Sequence, residues 1–129
     1  MTDLIEVPTY DLAGEALGWA VAQAEGLVVH IAPAQYQVPC RVFVLRTGES
    51  TIWAERYKPW EDWAVGGPLL QQHGCDLVGS GSGPNWEADC WTGTRLHSQD
   101  GKTPLIAVCR AVVAAKLGGT VQVPKELMP

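Results

Sequence analysis

Phenylalanine is close to absent: the chain has one, against six tryptophans and three tyrosines. Trp and Tyr displace Phe where one end of a ring must stay polar or reach the surface, so the bias points to a surface that binds something. Ordinary core packing is the plain alternative, because Trp is mostly buried on average. Basic residues are scarce too, nine Lys and Arg against fourteen Asp and Glu, for a formal charge of −5. Phosphate backbones are held by clustered cations, so nucleic acid is disfavoured as a partner. No two of Cys40, Cys75, Cys90 and Cys109 have the C-x-x-C spacing of zinc and redox sites. The opening MTDLIEVPTYDL has neither the basic nor the apolar region of an export signal. The expected compartment is therefore the cytosol, with the thiols reduced. A membrane span is missing as well. The most apolar window, 105–117, carries Arg110 and Lys116 and falls short of the ~20 residues required.

What remains is a chain of 129 residues with 47% in the hydrophobic set. That length argues for one domain. Folding hides roughly two-thirds of the surface an unfolded chain of this mass exposes, so a core forms without a metal or disulfide staple. The hydrophobic content argues against disorder, and no repeat at a fixed period is visible.

From Asp11 to Gly26, the spacing of Leu12, Ala16, Trp19, Ala20 and Ala24 predicts an amphipathic helix. Asp11 is its expected N-cap and Gly26 its left-handed stop. Gly14 and Gly18 each cost up to about 1 kcal/mol inside it relative to Ala, which a close approach by another backbone would explain. Strands are expected at 27–31, 41–46 and 51–57, the last two joined by a turn at 47–50. A short helix is expected at 66–74, at the end of the sheet, with Pro68 in its first turn after Gly66-Gly67. Strands at 75–78 and 86–91 then flank a flexible glycine-rich loop at 79–84. Residues 92–102 read as a polar connection. The clearest helix follows: Thr103 caps it, Pro104 takes its first position, and it runs to Gly118-Gly119. Its apolar residues lie on nearly all sides, so it must be buried in the core or against a partner chain. Residues 121–124 add a last strand. The fold class expected is α+β, a single domain with a mainly antiparallel sheet of four to six strands and the two longer helices on one face.

Candidate chemistry is thin. The loop at 79–84 lacks the Gly-Lys-Ser/Thr of a nucleotide loop and reads as a surface loop. Gly66-Gly67-Pro68 opens a helix whose first amides would face an anion, or it simply turns the chain. His73, Cys75, Cys90 and His97 lack the two tight pairs of a structural zinc site, so buried free thiols are the default and no metal or cofactor is expected. No local signature pairs a thiol with a base. Glu61-Asp62 and Glu87/Asp89 read as solvated faces or caps before they read as acid–base pairs.

Three blocks carry a family resemblance. The first is Leu12-x-Gly14-x-Ala16-Leu17-x-Trp19-Ala20-Val21-Ala22-x-Ala24-Glu25-Gly26. The second runs from Tyr57 through Asp62-Trp63-Ala64-x-Gly66-Gly67-Pro68-Leu69-Leu70 to Gly74. The third joins Thr103-Pro104-Leu105-Ile106-Ala107, Arg110 and Ala115-Lys116-Leu117-Gly118 to Val121-x-Val123-Pro124-x-Glu126-Leu127. In order and spacing they resemble the NinX-like family of bacteriophage proteins. Trp60-Glu61 stand where that family usually has Ser-Thr, and Gln71-Gln72 where it has a charged pair. The resemblance implies a small accessory protein, encoded by a phage or prophage and acting in the bacterial cytoplasm. It implies no activity.

Two functions from different classes follow. The favoured one is a non-enzymatic binding protein that captures a small molecule or a host protein through a cleft lined by Trp63 and Trp86. The rival is a small hydrolase or transferase using Cys or His with a carboxylate. The expected binding surface comprises Asp62, Trp63, Gly66, Gly67, Trp86 and Arg110. Trp63 serves as a stacking wall and the amides after Gly67 as donors to an oxygen. Arg110 either neutralises Asp62 or faces an anionic ligand, and the plain alternative is that Asp62 caps a turn while Trp63 fills the core. The apolar helix at 105–117 also predicts a two-fold homodimer.

Overall fold

A computed structural model describes residues 3–79 and 83–128. Among these, three α-helices and eight strands form an α+β architecture: β1 (Leu4–Pro8), α1 (Gly14–Ala24), β2 (Val29–Ala32), β3 (Arg41–Thr47), β4 (Ile52–Arg56), α2 (Trp63–Gln72), β5 (Asp76–Gly79), β6 (Trp86–Thr92), β7 (Arg95–Gly101), α3 (Pro104–Leu117) and β8 (Thr120–Pro124). The strands pair antiparallel in three sheets, β1-β8, β2-β3-β4 and β5-β6-β7. The expectation of one sheet of four to six strands with both longer helices on one face is corrected accordingly. One sheet covers only one side of a helix, whereas α3 is apolar nearly all round. Its neighbours are α1, α2, β8 and the β5–β7 sheet, so all but its last turn is covered within the chain. The motive given above for a partner against this helix therefore disappears.

Local chemistry sets the element ends. Thr103 Oγ1 accepts the Ile106 amide at 3.2 Å, Pro104 follows, and Gly118 at φ +100 stops α3. The first helix begins later than expected. Gly14 has φ +56, which no right-handed helix running from Asp11 can contain, and Asp11 instead closes a 3-10 turn over Thr9–Asp11. Gly18 is explained by a side chain rather than by backbone alone. A Cβ there would sit 2.5 Å from the Trp60 ring and 3.2 Å from the Tyr57 carbonyl oxygen. In β3, Val42 and Val44 point into the core as their alternation requires. The lone Phe43 carries two guanidinium groups over its ring, those of Arg41 and Arg56 at 5.5 and 5.7 Å.

Two strands were not expected. β7 is mostly polar or exposed and shows no apolar run; β1 is apolar apart from Glu6 but only five residues long. β7 exists because Gly93, at φ +62, turns the chain back and lets Arg95–Gly101 pair along all of β6. The glycine-rich loop expected at 79–84 falls in part on residues 80–82, outside the described ones.

The reduced state expected for the thiols is corrected at one pair. Asp76 lies opposite Asp89, which sets Cys75 beside Cys90, and the two are joined in a disulfide with Cα atoms 4.6 Å apart. Cys40 and Cys109 are free thiols. No helix among the described residues is long and apolar enough to cross a membrane.

Candidate functional site

Asp62, Trp63, Gly66 and Gly67 stay together, but inside a helix. Asp62 Oδ1 accepts the Ala64 amide at 3.0 Å, so α2 starts at Trp63, ahead of the expected Gly66. The Gly66 amide donates to the Asp62 carbonyl oxygen at 2.7 Å. An anion cradle needs amides with no helical acceptor. Gly66 and Gly67 lie within the helix, so the expected donors sit in its body and not at its mouth. Gly66 has a packing role instead: a Cβ there would strike the Pro59 carbonyl oxygen and come 3.0 Å from Leu105. Trp63 does not fill the core; it is 57% exposed, with its ring along Gly67.

Trp86 and Arg110 line two adjoining cavities. The first, of about 250 Å³, lies over Val78, Gly79, Trp86 and Glu87. The second, of about 330 Å³, lies over Ala13, Lys102, Ile106 and Arg110. Asn85 and Asp100 belong to both, so the two form one cleft between the open end of the β6–β7 pair and the first turns of α3. Trp63 lines neither. Arg110 is anchored by Nε to the Leu12 carbonyl at 2.9 Å and by Nη1 to the Asp100 carbonyl at 2.8 Å, with no bond to Asp62. Burial pulls its pKa down, while Asp11 and Asp100 act to keep it charged. Asn85, Asp100 and Lys102 were not singled out from sequence. The signal that would have found them is Gly93, whose turn folds 95–101 back beside Trp86.

The nucleophile candidates have their own geometry. Cys75 and Cys90 are bonded to each other. Cys109 is buried in α3, which pushes its pKa up to about 12. His73 Nε2 lies 2.9 Å from Glu25 Oε2, tying the end of α2 to the end of α1. Tyr57, also buried, is held well above the ordinary phenol range by desolvation first, and then by the negative charge of Cys109, once ionised, and of Glu25.

Fold and cleft thus define a small α+β protein with an open, mixed-polarity depression. Residues 9–116 match the family described as Bacteriophage P22, NinX, and the chain belongs to that family. The matched segment holds all of α1 and α2 and α3 as far as Lys116. No curated protein matches the chain.

Proposed function

We propose that this phage-encoded accessory protein is a non-enzymatic binding protein that takes a small molecule in the cleft beside Trp86. The observation that supports this is the sharing of Asn85 and Asp100 by the two cavities. It surrounds one depression with an indole, an amide, carboxylates and the cations Lys102 and Arg110. Convergent polar groups beside an aromatic wall are what small-ligand sites offer. The rival hydrolase or transferase finds less support. Two thiols are spent in the disulfide, Cys109 is held protonated by burial at neutral pH, and the His73–Glu25 pair lines neither cavity of the cleft.

Thermal-shift screening with a small-molecule library that includes nucleotides tests the reading. A ligand present at about a hundred times its Kd stabilises the native state by about 2.7 kcal/mol, enough to raise Tm by several degrees. The shift should appear in the wild type and vanish in Trp86→Ala. A ligand that shifts both proteins equally, or one that is chemically converted, overturns the proposal.

A further inference from the structure

At the other end of β7 lies a groove of about 400 Å³ that shares no lining residue with the Trp86 cleft. One wall is residues 95–99 of β7; the other is Ala114, Ala115, Gly118 and Gly119 at the end of α3. β7 is an edge of its sheet, with β6 on one side only. Alternate residues of such a strand turn both backbone groups away from the neighbour. Asp100 is one of these, since its carbonyl oxygen is free to accept from Arg110 Nη1 on α3. The two-residue turn at Gly93-Thr94 closes on the Thr92–Arg95 pair and gives the same phase. Leu96 and Ser98 share it. Their amides and carbonyls face the groove and meet no hydrogen-bond partner among the described residues.

The groove can take a backbone. Ala114 and Ala115 carry one carbon each, and Gly118 and Gly119 none, so an incoming strand can lie against the helix end. His97 pairs with the buried Cys90 and Gln99 with the buried Ala88, so both side chains lie on the inner face of the sheet.

Charge selects the occupant. On the outer face of the same sheet, Asp76 stands opposite Asp89 and Glu87 opposite Asp100. Like charges directly across an antiparallel pair are destabilising. No ion pair among the described residues relieves any of the four. Asp89 accepts only the Ser98 hydroxyl, at 2.6 Å, and Asp100 feels Arg110 through space. Val78 and Trp91 rise from this face, about half exposed. A strand laid on β7 sets alternate side chains beside Ser98 and, where the edge reaches the Trp86 cleft, Asp100, and Lys or Arg there would offset the repulsion. A second copy of this chain would bring another acidic face instead. We propose that the β7 edge is a docking site for an extended, basic segment of a partner protein, which adds to the β5–β7 sheet as a fourth strand.

The probe is a fluorescein-labelled peptide of about ten alternating Lys and Val residues, long enough to pair along the edge. A Glu-Val peptide is the control. Anisotropy should show saturable binding of the Lys peptide only, weakening as salt rises from about 50 to about 300 mM. Ser98→Pro removes an outward amide that no other strand uses, so the edge tolerates it. It should weaken binding by about tenfold or more, the effect of losing one or two hydrogen bonds. Asp100→Asn should weaken binding less and flatten the salt dependence. Should Ser98→Pro fail to fold, amide exchange in the wild type decides: the peptide must slow exchange at Leu96 and Ser98. The proposal is overturned by equal binding of the Glu peptide, by an unchanged Ser98→Pro affinity, or by no binding up to about 1 mM. It is equally overturned if the edge is already filled by a second copy, seen as a dimer that Ser98→Pro makes monomeric.

Discussion

Glu15 and Arg56 meet fork to fork, Arg56 Nη1 to Glu15 Oε1 at 2.9 Å and Nη2 to Oε2 at 2.8 Å, with the Val42 peptide held between them. The Val42 amide donates to Glu15 Oε1 at 2.7 Å, and the Val42 carbonyl accepts from Arg56 Nη1 at 3.0 Å. One carboxylate in the first turn of α1 thus fastens both β3 and β4. Glu15→Gln keeps an acceptor for Val42 but loses the charged fork. Urea unfolding should show a loss of about 2 kcal/mol, and little of it should be recovered by salt because both side chains are largely shielded.

Trp63 offers a second, opposite expectation. Being more than half exposed, it should be replaceable by Ala with a stability change within about 1 kcal/mol. Gly66→Ala, at a buried position, should cost about 1–3 kcal/mol through its clash with Pro59. Paired thermal melts of the two variants check the contrast.

The Cys75–Cys90 bond closes a span of 15 residues. Replacing both cysteines by Ala should lower stability by about 3 kcal/mol under oxidising conditions. The same substitutions should have no such effect relative to wild type once a strong reductant is present. Non-reducing peptide mapping identifies the bond directly.

Alkali should act through Cys109. Its thiol ionises near 9.0 in an unfolded chain and near 12 when folded. A raised folded-state value means that the stabilisation is complete below about pH 9 and is lost as pH climbs toward 12. Each pH unit in that window should remove about 1.4 kcal/mol per such group. Tyr57, raised by burial in the same direction, adds to the loss at higher pH. Urea midpoints measured from pH 7.5 to about pH 11 should fall more gently in Cys109→Ala than in the wild type. In the native protein at neutral pH, a thiol reagent should modify Cys40 and spare Cys109.

Much of this was legible in the chain. Thr103, Pro104 and Gly118 declare α3 because capping is local chemistry, and Val42 and Val44 declare the buried face of β3. What escaped depends on distant partners. Asp62 looks like a ligand group until its side chain is seen on the Ala64 amide. β7 has no apolar run, because its register is dictated by β6 and its outer edge is polar. Trp86 and Arg110 were singled out for their residue types. That they flank one cleft follows from Asn85 and Asp100, and Asp100 reaches it only through a strand whose sequence reads as a polar connection. The disulfide escaped because spacing alone does not reveal cross-strand neighbours.

The pairing of β1 with β8 imposes an order of events at the ribosome. Leu4–Pro8 emerge early, yet their ladder partners lie at Thr120–Pro124. β1 must therefore wait for this partner until nearly all the described chain has been made. Any chaperone that recognises exposed extended segments has that interval in which to hold it. Final closure is a ring-like act joining two remote stretches, and a rearranged gene that fuses them through a short turn would let the clasp form at once.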